Sequence, residues 1–425
     1  MGNLSIFSSD STYTYFCENC SKHFKENFFS FSKHISACWN QLPPAKDTKF
    51  RISLFKTLCK QLKIHWSSSK SVQLAINRSS IFEDSLTQIC EMSTEQLRTE
   101  FIINFVGENA NDAGGLTKDF LTSLITSIFT LELRLFEPIR LNSKVYKLSK
   151  AADFEEIYKF TGKIIAKSIL EEIPLPLRLN QLLLEQILAD KTNFDLDDLK
   201  KLDPDLWESF ENLNRNNCDE LFMSFTIPNG NSEIELVPGG SSISVSNDNK
   251  SVFMMFYSQY ECFELIKFSL SALKAGIFEV IPEYLIKLLK PTDLDLIISG
   301  SDTIDLNDWY SNTVYKEPFN ASHPIIQKFW QVLQRYSQSQ LQKLLFFSIG
   351  LESLPLGGFS SLSTLRGDPC LFTISPLKYT PGAFIESHTC FNRLEIPLYP
   401  DTTILSSELD LVINSQNKFF KENYN

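Results

Sequence analysis

Cys390 follows His388 by two residues in the run Phe384-Ile385-Glu386-Ser387-His388-Thr389-Cys390-Phe391-Asn392-Arg393-Leu394. In an extended segment alternate side chains share a face, so imidazole and thiol are expected to open into one space. A neighbouring imidazole favours the thiolate, which is the nucleophilic form of cysteine. On these two residues alone the thiol reads either as a nucleophile or as one of the many cysteines that only fill a core.

A second constellation lies near the other end. Cys17, Cys20, His34 and Cys38 are spaced Cys-x2-Cys-x13-His-x3-Cys. A tight knuckle supplies two thiolates and a helix supplies two more ligands one turn apart, which suits tetrahedral zinc. Phe24, Phe28, Phe29 and Phe31 offer the small core such a unit needs, and His23 competes with His34 as a ligand. The other reading is four unconnected residues in a Phe-rich leader. A segment this short hardly folds without a staple, so zinc is the expectation.

The elements that must position these groups are read from periodicity. Helical apolar spacing runs over 151–173 and 178–188. Residues 226–250 read as a hairpin with Gly239-Gly240 at its turn. Near the end, amphipathic helices are expected over 325–333 and 340–347, strands over 370–374 and 389–396, and a last helix near 407–413. Pro318, among small and polar neighbours in 314–321, suits a linker. Ile52, Phe55, Leu58, Leu62 and His65 fall at helical spacing with lysines between them. That stripe is read as packing on the neighbouring domain rather than on a partner or a membrane. Gly114-Gly115 precedes a helical pattern but lacks a Lys-Ser/Thr in P-loop register, so a nucleotide site is excluded.

Composition narrows the class. At 425 residues, 43% apolar and 21% charged, the chain is long enough for two or three domains with a large core. No run approaches a membrane-spanning apolar stretch, so no span is expected. Nine cysteines, an odd number, fit a reducing compartment, cytoplasmic or nuclear. The net charge of −11 argues against nucleic acid as a partner. Residues 1–78 carry 11 Lys/Arg against 4 Asp/Glu and the remainder 29 against 47, which marks two separate units.

The strongest signal is a series of blocks in fixed order. Phe82-Glu83-Asp84-Ser85-Leu86, then Asp112-Ala113-Gly114-Gly115-Leu116-Thr117-Lys118-Asp119-Phe120, then Phe160-Thr161-Gly162-Lys163-Ile164-Ile165-Ala166 come first. Leu236-Val237-Pro238-Gly239-Gly240, with Val245 and Asn249-Lys250, follows. Ile304-Asp305-Leu306-Asn307-Asp308-Trp309, Leu354-Pro355-Leu356-Gly357-Gly358-Phe359 and Ser387-His388-Thr389-Cys390-Phe391-Asn392 close the series. Together they resemble the HECT-type ubiquitin ligases over roughly residues 70–420.

The resemblance implies a bilobal α+β fold. It has a mainly helical N-lobe (70–315) with a small conjugating-enzyme-binding subdomain near 190–262, a hinge (316–321) and an α/β C-lobe (322–425). A zinc-binding module (1–45) and a linker with a basic amphipathic helix (46–69) precede it. Cys390 is then the residue that carries ubiquitin as a glycyl thioester, taken from the E2 conjugating enzyme and passed to substrate lysines. Ubiquitin, that E2 and protein substrates are the implied partners. No metal or nucleotide is needed for catalysis, and zinc is structural only. His388 polarises the thiol, stabilises the oxyanion or orients the loop, Thr389 and Asn392 donate to developing charge, and Gly357-Gly358 lets backbone N–H groups approach the thioester. Counting on from Cys390, the aromatic guiding the second step falls on Phe419. Phe253 and Tyr257, four residues apart, are the expected exposed groove aromatics, with Trp207 and Phe210 lining the same groove.

The chain departs from the family pattern at Ser353, usually Arg, at Ile349, usually Thr, and at Glu386, usually Arg or Thr. The changes at Ser353 and Glu386 make the site less positive and are the support for a second reading, a HECT-like scaffold that binds ubiquitin or the conjugating enzyme without transfer, against which the intact Ser387–Asn392 motif argues. A cysteine hydrolase would need a Cys-His-Asp/Asn set, and among five His no such signature is found.

Overall fold

A computed structural model describes residues 48–64, 71–108, 115–130, 134–140, 143–149, 154–229, 232–364 and 368–422, together with the backbone of 6–9, 12–17 and 22–25. Backbone alone is described for Gly115, Asn229 and 415–422. Helices and short sheets are segregated along the chain, which makes the fold α+β. No described helix is long and apolar enough to cross a membrane. Two compact units interleave in sequence, one from 1–46, 128–163 and 177–294, the other from 47–127, 164–176 and 295–425.

In the first unit the helix Lys267–Val280 crosses residues 155–163 of the helix Glu155–Leu170 at a pair of glycines. A Cβ at Gly162 would stand 2.2 Å from Leu273 O, and one at Gly276 1.9 Å from Lys159 O. Only hydrogen fits there, which explains Gly162 inside the helix. Lys159 and Lys163 both reach Glu279 at 3.0 Å and close the crossing. The strand Phe136–Pro138 pairs antiparallel with Val145–Leu148, which pairs parallel with Arg178–Leu179.

The same unit carries a small subdomain of helices Leu196–Leu202, Pro204–Arg215 and Lys250–Gln259 with a hairpin. Asp195 and Asp198 form a reciprocal cap on the first helix, and Asp203 caps the second, where Pro204 fills the first turn. The hairpin pairs Thr226–Asn229 with Ser232–Glu235, with Asn229 opposite Ser232, so the chain reverses before Gly239-Gly240 and not at that pair as the sequence predicts. The glycine pair does a different job. Gly239 is left-handed (φ 75°), and a Cβ at Gly240 would stand 2.5 Å from Phe225 O, so the loop can lie against that backbone.

In the second unit the helix Thr48–Lys60 buries Ile52, Leu54, Phe55, Leu58 and Cys59. Its lysines meet an acidic patch: Lys56 lies 2.7 Å from Glu172, Lys60 3.5 Å from Glu172, and Lys63, just beyond the helix, 2.8 Å from Glu171. The apolar stripe therefore packs on the protein, as expected; His65 lies outside the described residues. The strands Val72–Ile76 and Phe101–Phe105 run parallel, with alternate residues buried.

A four-stranded sheet in this unit frames Cys390. Its order is Val314–Tyr315, Thr373–Leu377, Arg393–Pro397, Glu386–His388, parallel except for the last, which is antiparallel at the edge. Helices Pro324–Leu333, Gln338–Ile349 and Ile404–Glu422 accompany it, the first two close to the expected spans and the last running nine residues past the expected end at 413. Ser337 and Gln340 cap the second of these reciprocally, and Gly350 ends it in the left-handed conformation (φ 74°). Trp309 is wholly buried, stacked on Phe359 at 4.6 Å and edge-on to Phe372 and Trp330.

Candidate active site

The edge strand Glu386–His388 turns into the strand Arg393–Pro397 through one turn of 3₁₀ helix, Thr389–Phe391, and Cys390 is its middle residue. The expected strand over 389–396 thus starts only at Arg393. The turn is what lifts Cys390 off the sheet: the alternation that would place it beside His388 ends at Thr389. Among the described residues no hydrogen bond joins His388 to Cys390. His388 Nε2 instead lies 3.4 Å from Glu395 Oε2, and Glu395 Oε1 is held by Arg393 Nε at 3.3 Å and Ser375 Oγ at 3.3 Å. Glu386 sits directly across the ladder from Glu395, so two carboxylates flank the imidazole on one face.

Asn392 closes the turn. It is left-handed (φ 47°) and wholly buried, a conformation that asparagine tolerates better than most side chains. Its Nδ2 donates to Cys370 O at 2.7 Å, and its Oδ1 accepts from Lys118 Nζ at 3.2 Å. The Asn392 carbonyl accepts the Thr373 N–H at 2.9 Å, tying the turn to the neighbouring strand. Asn392 therefore holds the turn; the sequence expectation that it donates to developing charge does not fit a buried amide already committed. Thr389 packs over Gly350. Cys390 itself is half-buried and a free thiol, and Phe391 beside it is exposed. Cys370 Sγ donates to Phe391 O at 3.3 Å. Burial pushes the Cys370 thiol up, and the Lys118 ammonium opposes that.

The Gly357-Gly358 block is accounted for by its own neighbours. Asp308 Oδ2 accepts the Phe359 N–H at 2.8 Å and stands 2.1 Å from where a Gly358 Cβ would be. Ser353 is buried and donates its hydroxyl to Ser299 O at 2.6 Å, and Ile349 is wholly buried, so both departures from the family pattern are structurally satisfied. The helix Ile404–Glu422 carries Phe419, whose side chain lies outside the described residues. Cys20, His34 and Cys38 also lie outside them, and Cys17 is described in backbone only.

The expected groove aromatics divide. Phe253 and Phe210 are buried in the subdomain core, edge-on to one another at 6.2 Å, with Phe225 on the other side of Phe253 at 5.5 Å. Tyr257 is half-buried against both, and burial pushes its hydroxyl up to about 12. Trp207 is half-buried with Lys200 Nζ over its ring at 4.2 Å. The exposed pair the sequence predicts is thus one core residue and one bordering it. The exposed apolar side chains of the subdomain are Leu221, Phe222, Ile243, Val252 and Met255. Phe222 is 94% exposed in a left-handed conformation (φ 51°), which is costly for a bulky residue. The sequence signal for it was weak: an aromatic after Asp219-Glu220-Leu221, where the polar run 214–220 ends.

Comparison with known proteins agrees with this layout. E3 ubiquitin-protein ligase Nedd-4 of Drosophila melanogaster is 28% identical over 388 residues, covering 89% of this chain and 38% of that protein. E3 ubiquitin-protein ligase TOM1-like of Neurospora crassa is 28% identical over 82% of this chain and 9% of its own length. For E3 ubiquitin-protein ligase ptr1 of Schizosaccharomyces pombe the identity is 27% over 93% of this chain and 12% of that protein. The chain spans well under two thirds of each. A HECT-domain (ubiquitin-transferase) family model matches residues 122–422, from within the helix Gly115–Thr130, across the Cys390 turn and into the last helix. With that match covering most of its length, the chain belongs to the HECT-domain (ubiquitin-transferase) family.

Proposed function

We propose that this chain is a HECT-type ubiquitin ligase whose nucleophile is Cys390. One observation carries the reading: the Ser387–Asn392 block folds into a turn that presents a half-buried free thiol at the edge of a sheet, inside the family match. The thiolate attacks the carbonyl carbon of the thioester that joins ubiquitin to a conjugating enzyme. The new C–S bond forms as the old one breaks, and the conjugating enzyme leaves as its cysteine thiolate. A substrate amine then attacks the Cys390 thioester, loses a proton, forms the isopeptide bond and releases the Cys390 thiolate. The first step exchanges like for like, so the protein's contribution is position rather than driving force. A bilobal arrangement with a hinge at 316–321 suits a thiol that must meet two partners in turn.

The conjugating enzyme docks, in this reading, on the small subdomain that holds Trp207, Phe210, Phe253 and Tyr257, through its exposed apolar residues, Phe222 foremost. An exposed anchor backed by a rigid core is what an interface hot spot requires. Zinc is proposed at Cys17, Cys20, His34 and Cys38, as a structural ion. Cys17 pairs with Lys22 across a hairpin, and that step spans Cys20, which fits a two-thiolate knuckle.

The test is a single-turnover reaction with a ubiquitin-charged conjugating enzyme, resolved without reductant. A ubiquitin adduct that reductant removes, and that Cys390→Ala lacks, is the expected result. No adduct across a broad panel of conjugating enzymes would leave a binding scaffold in its place.

A further inference from the structure

Lys118 is drawn from the start of the helix Gly115–Thr130, 274 residues before Asn392 in the chain, and both belong to the same compact unit. It is 6% exposed. Among the described residues no carboxylate pairs with it, although Asp119 beside it is engaged by Arg78 at 2.7 Å. A buried ammonium without a counter-ion is costly, and a fold keeps one only where it does something. Among the described residues its one side-chain hydrogen bond is to Asn392 Oδ1 at 3.2 Å, and the thiols of Cys370 and Cys390 act electrostatically on its charge. Burial pushes the Lys118 ammonium down, and those two thiols pull it back toward the charged form.

We propose that Lys118 is a positioning residue for transfer: by donating to Asn392 Oδ1 it clamps the left-handed residue that ends the nucleophile turn, and so fixes where Cys390 stands in this arrangement, a contact that turning at 316–321 would release. The chain of contact is continuous, from Lys118 Nζ to Asn392 Oδ1, from Asn392 Nδ2 to Cys370 O, and from Cys370 Sγ to Phe391 O, the residue next to the nucleophile. The clamp joins a helix of the Asp112–Phe120 block to the Ser387–Asn392 block, and thereby links two of the ordered motifs through one charge-assisted bond. This inference rests on Cys390 being the nucleophile.

Single-turnover adduct rates decide it, measured against conjugate concentration for wild type, Lys118→Met, Lys118→Arg, Asn392→Gly and the Lys118→Met/Asn392→Gly pair, each with its melting temperature. Lys118→Met is expected to lower the maximal rate roughly tenfold, the scale of one charge-assisted bond, while the half-saturating concentration stays put. Lys118→Arg keeps the charge and the donor and restores most of the rate. Asn392→Gly keeps the left-handed backbone, loses the acceptor and slows the reaction as much as Lys118→Met, with no further loss in the pair. A folded Lys118→Met within twofold of wild type overturns the proposal, as do equal losses in Met and Arg variants or losses that multiply in the pair. If Lys118→Met does not fold, a wild-type rate in Asn392→Gly overturns it. Absence of any wild-type adduct would instead overturn the role of Cys390.

Discussion

Asp308 and Phe359 are locked together: the Asp308 carboxylate accepts the Phe359 N–H at 2.8 Å and fills the space beside Gly358. Phe359 in turn stacks on Trp309, so two separate motif blocks meet in one buried aromatic layer. Gly358→Ala must push the carboxylate away or shift the turn. It is expected to destabilise by about 1–3 kcal/mol, read as a lowered melting temperature. Full stability in that variant would show that the carboxylate is free to leave.

The helix crossing at Gly162 and Gly276 makes a parallel prediction in the other unit. Backbone, not a flexible side chain, stands within 2.2 Å of either added Cβ. Gly276→Ala should cost about 1–3 kcal/mol despite the better helix propensity of alanine, and urea unfolding measures it. A stabilised variant would contradict so close a crossing.

Phe253 and Phe222 should behave in opposite ways. Phe253→Ala opens the subdomain core and is expected to cost about 3–5 kcal/mol. Phe222→Ala changes stability by no more than about 0.5 kcal/mol. It should instead raise the conjugate concentration needed for half-maximal adduct formation, and an unchanged value would remove Phe222 from the docking surface.

Acid should loosen the docked helix Thr48–Lys60. Burial alone would raise the Glu171 carboxyl, but Lys167 and Lys63 override it and hold the group below the ordinary range; Glu172 is held down in the same way by Lys56 and Lys60. A folded value below the unfolded one means these carboxylates stabilise the fold above the unfolded value. That contribution shrinks as pH falls below 4.5, the ordinary glutamate value, and is lost through the lower folded value. The urea midpoint of wild type should drop on acidification, and Glu171→Gln should start lower at neutral pH and fall less steeply.

Metal analysis of the purified chain should give about one zinc per molecule, the content of a closed structural site. Cys17→Ser should abolish it. His34→Ala should lose the ion while His23→Ala keeps it, and the reverse would exchange the two histidines.

The family, the nucleophile candidate and several of the helices are legible in the chain alone, because these depend on local pattern. Apolar spacing places the helices over 324–333 and 338–349 to within a few residues and the start of the helix over 404–422, whose end lies nine residues past the expected one, and motif order locates Cys390. Burial was not legible in the same way. Phe253 and Phe222 are both aromatic, and only tertiary packing decided that the first is core and the second exposed. Nor could spacing show that Asn392 is turned inward, since its φ of 47° belongs to a turn rather than to the strand that alternation predicts. The contact between Lys118 and Asn392 spans 274 residues, and no periodicity carries information over that distance. Local chemistry set what each segment becomes; which buried groups face one another was settled by how the segments fill space.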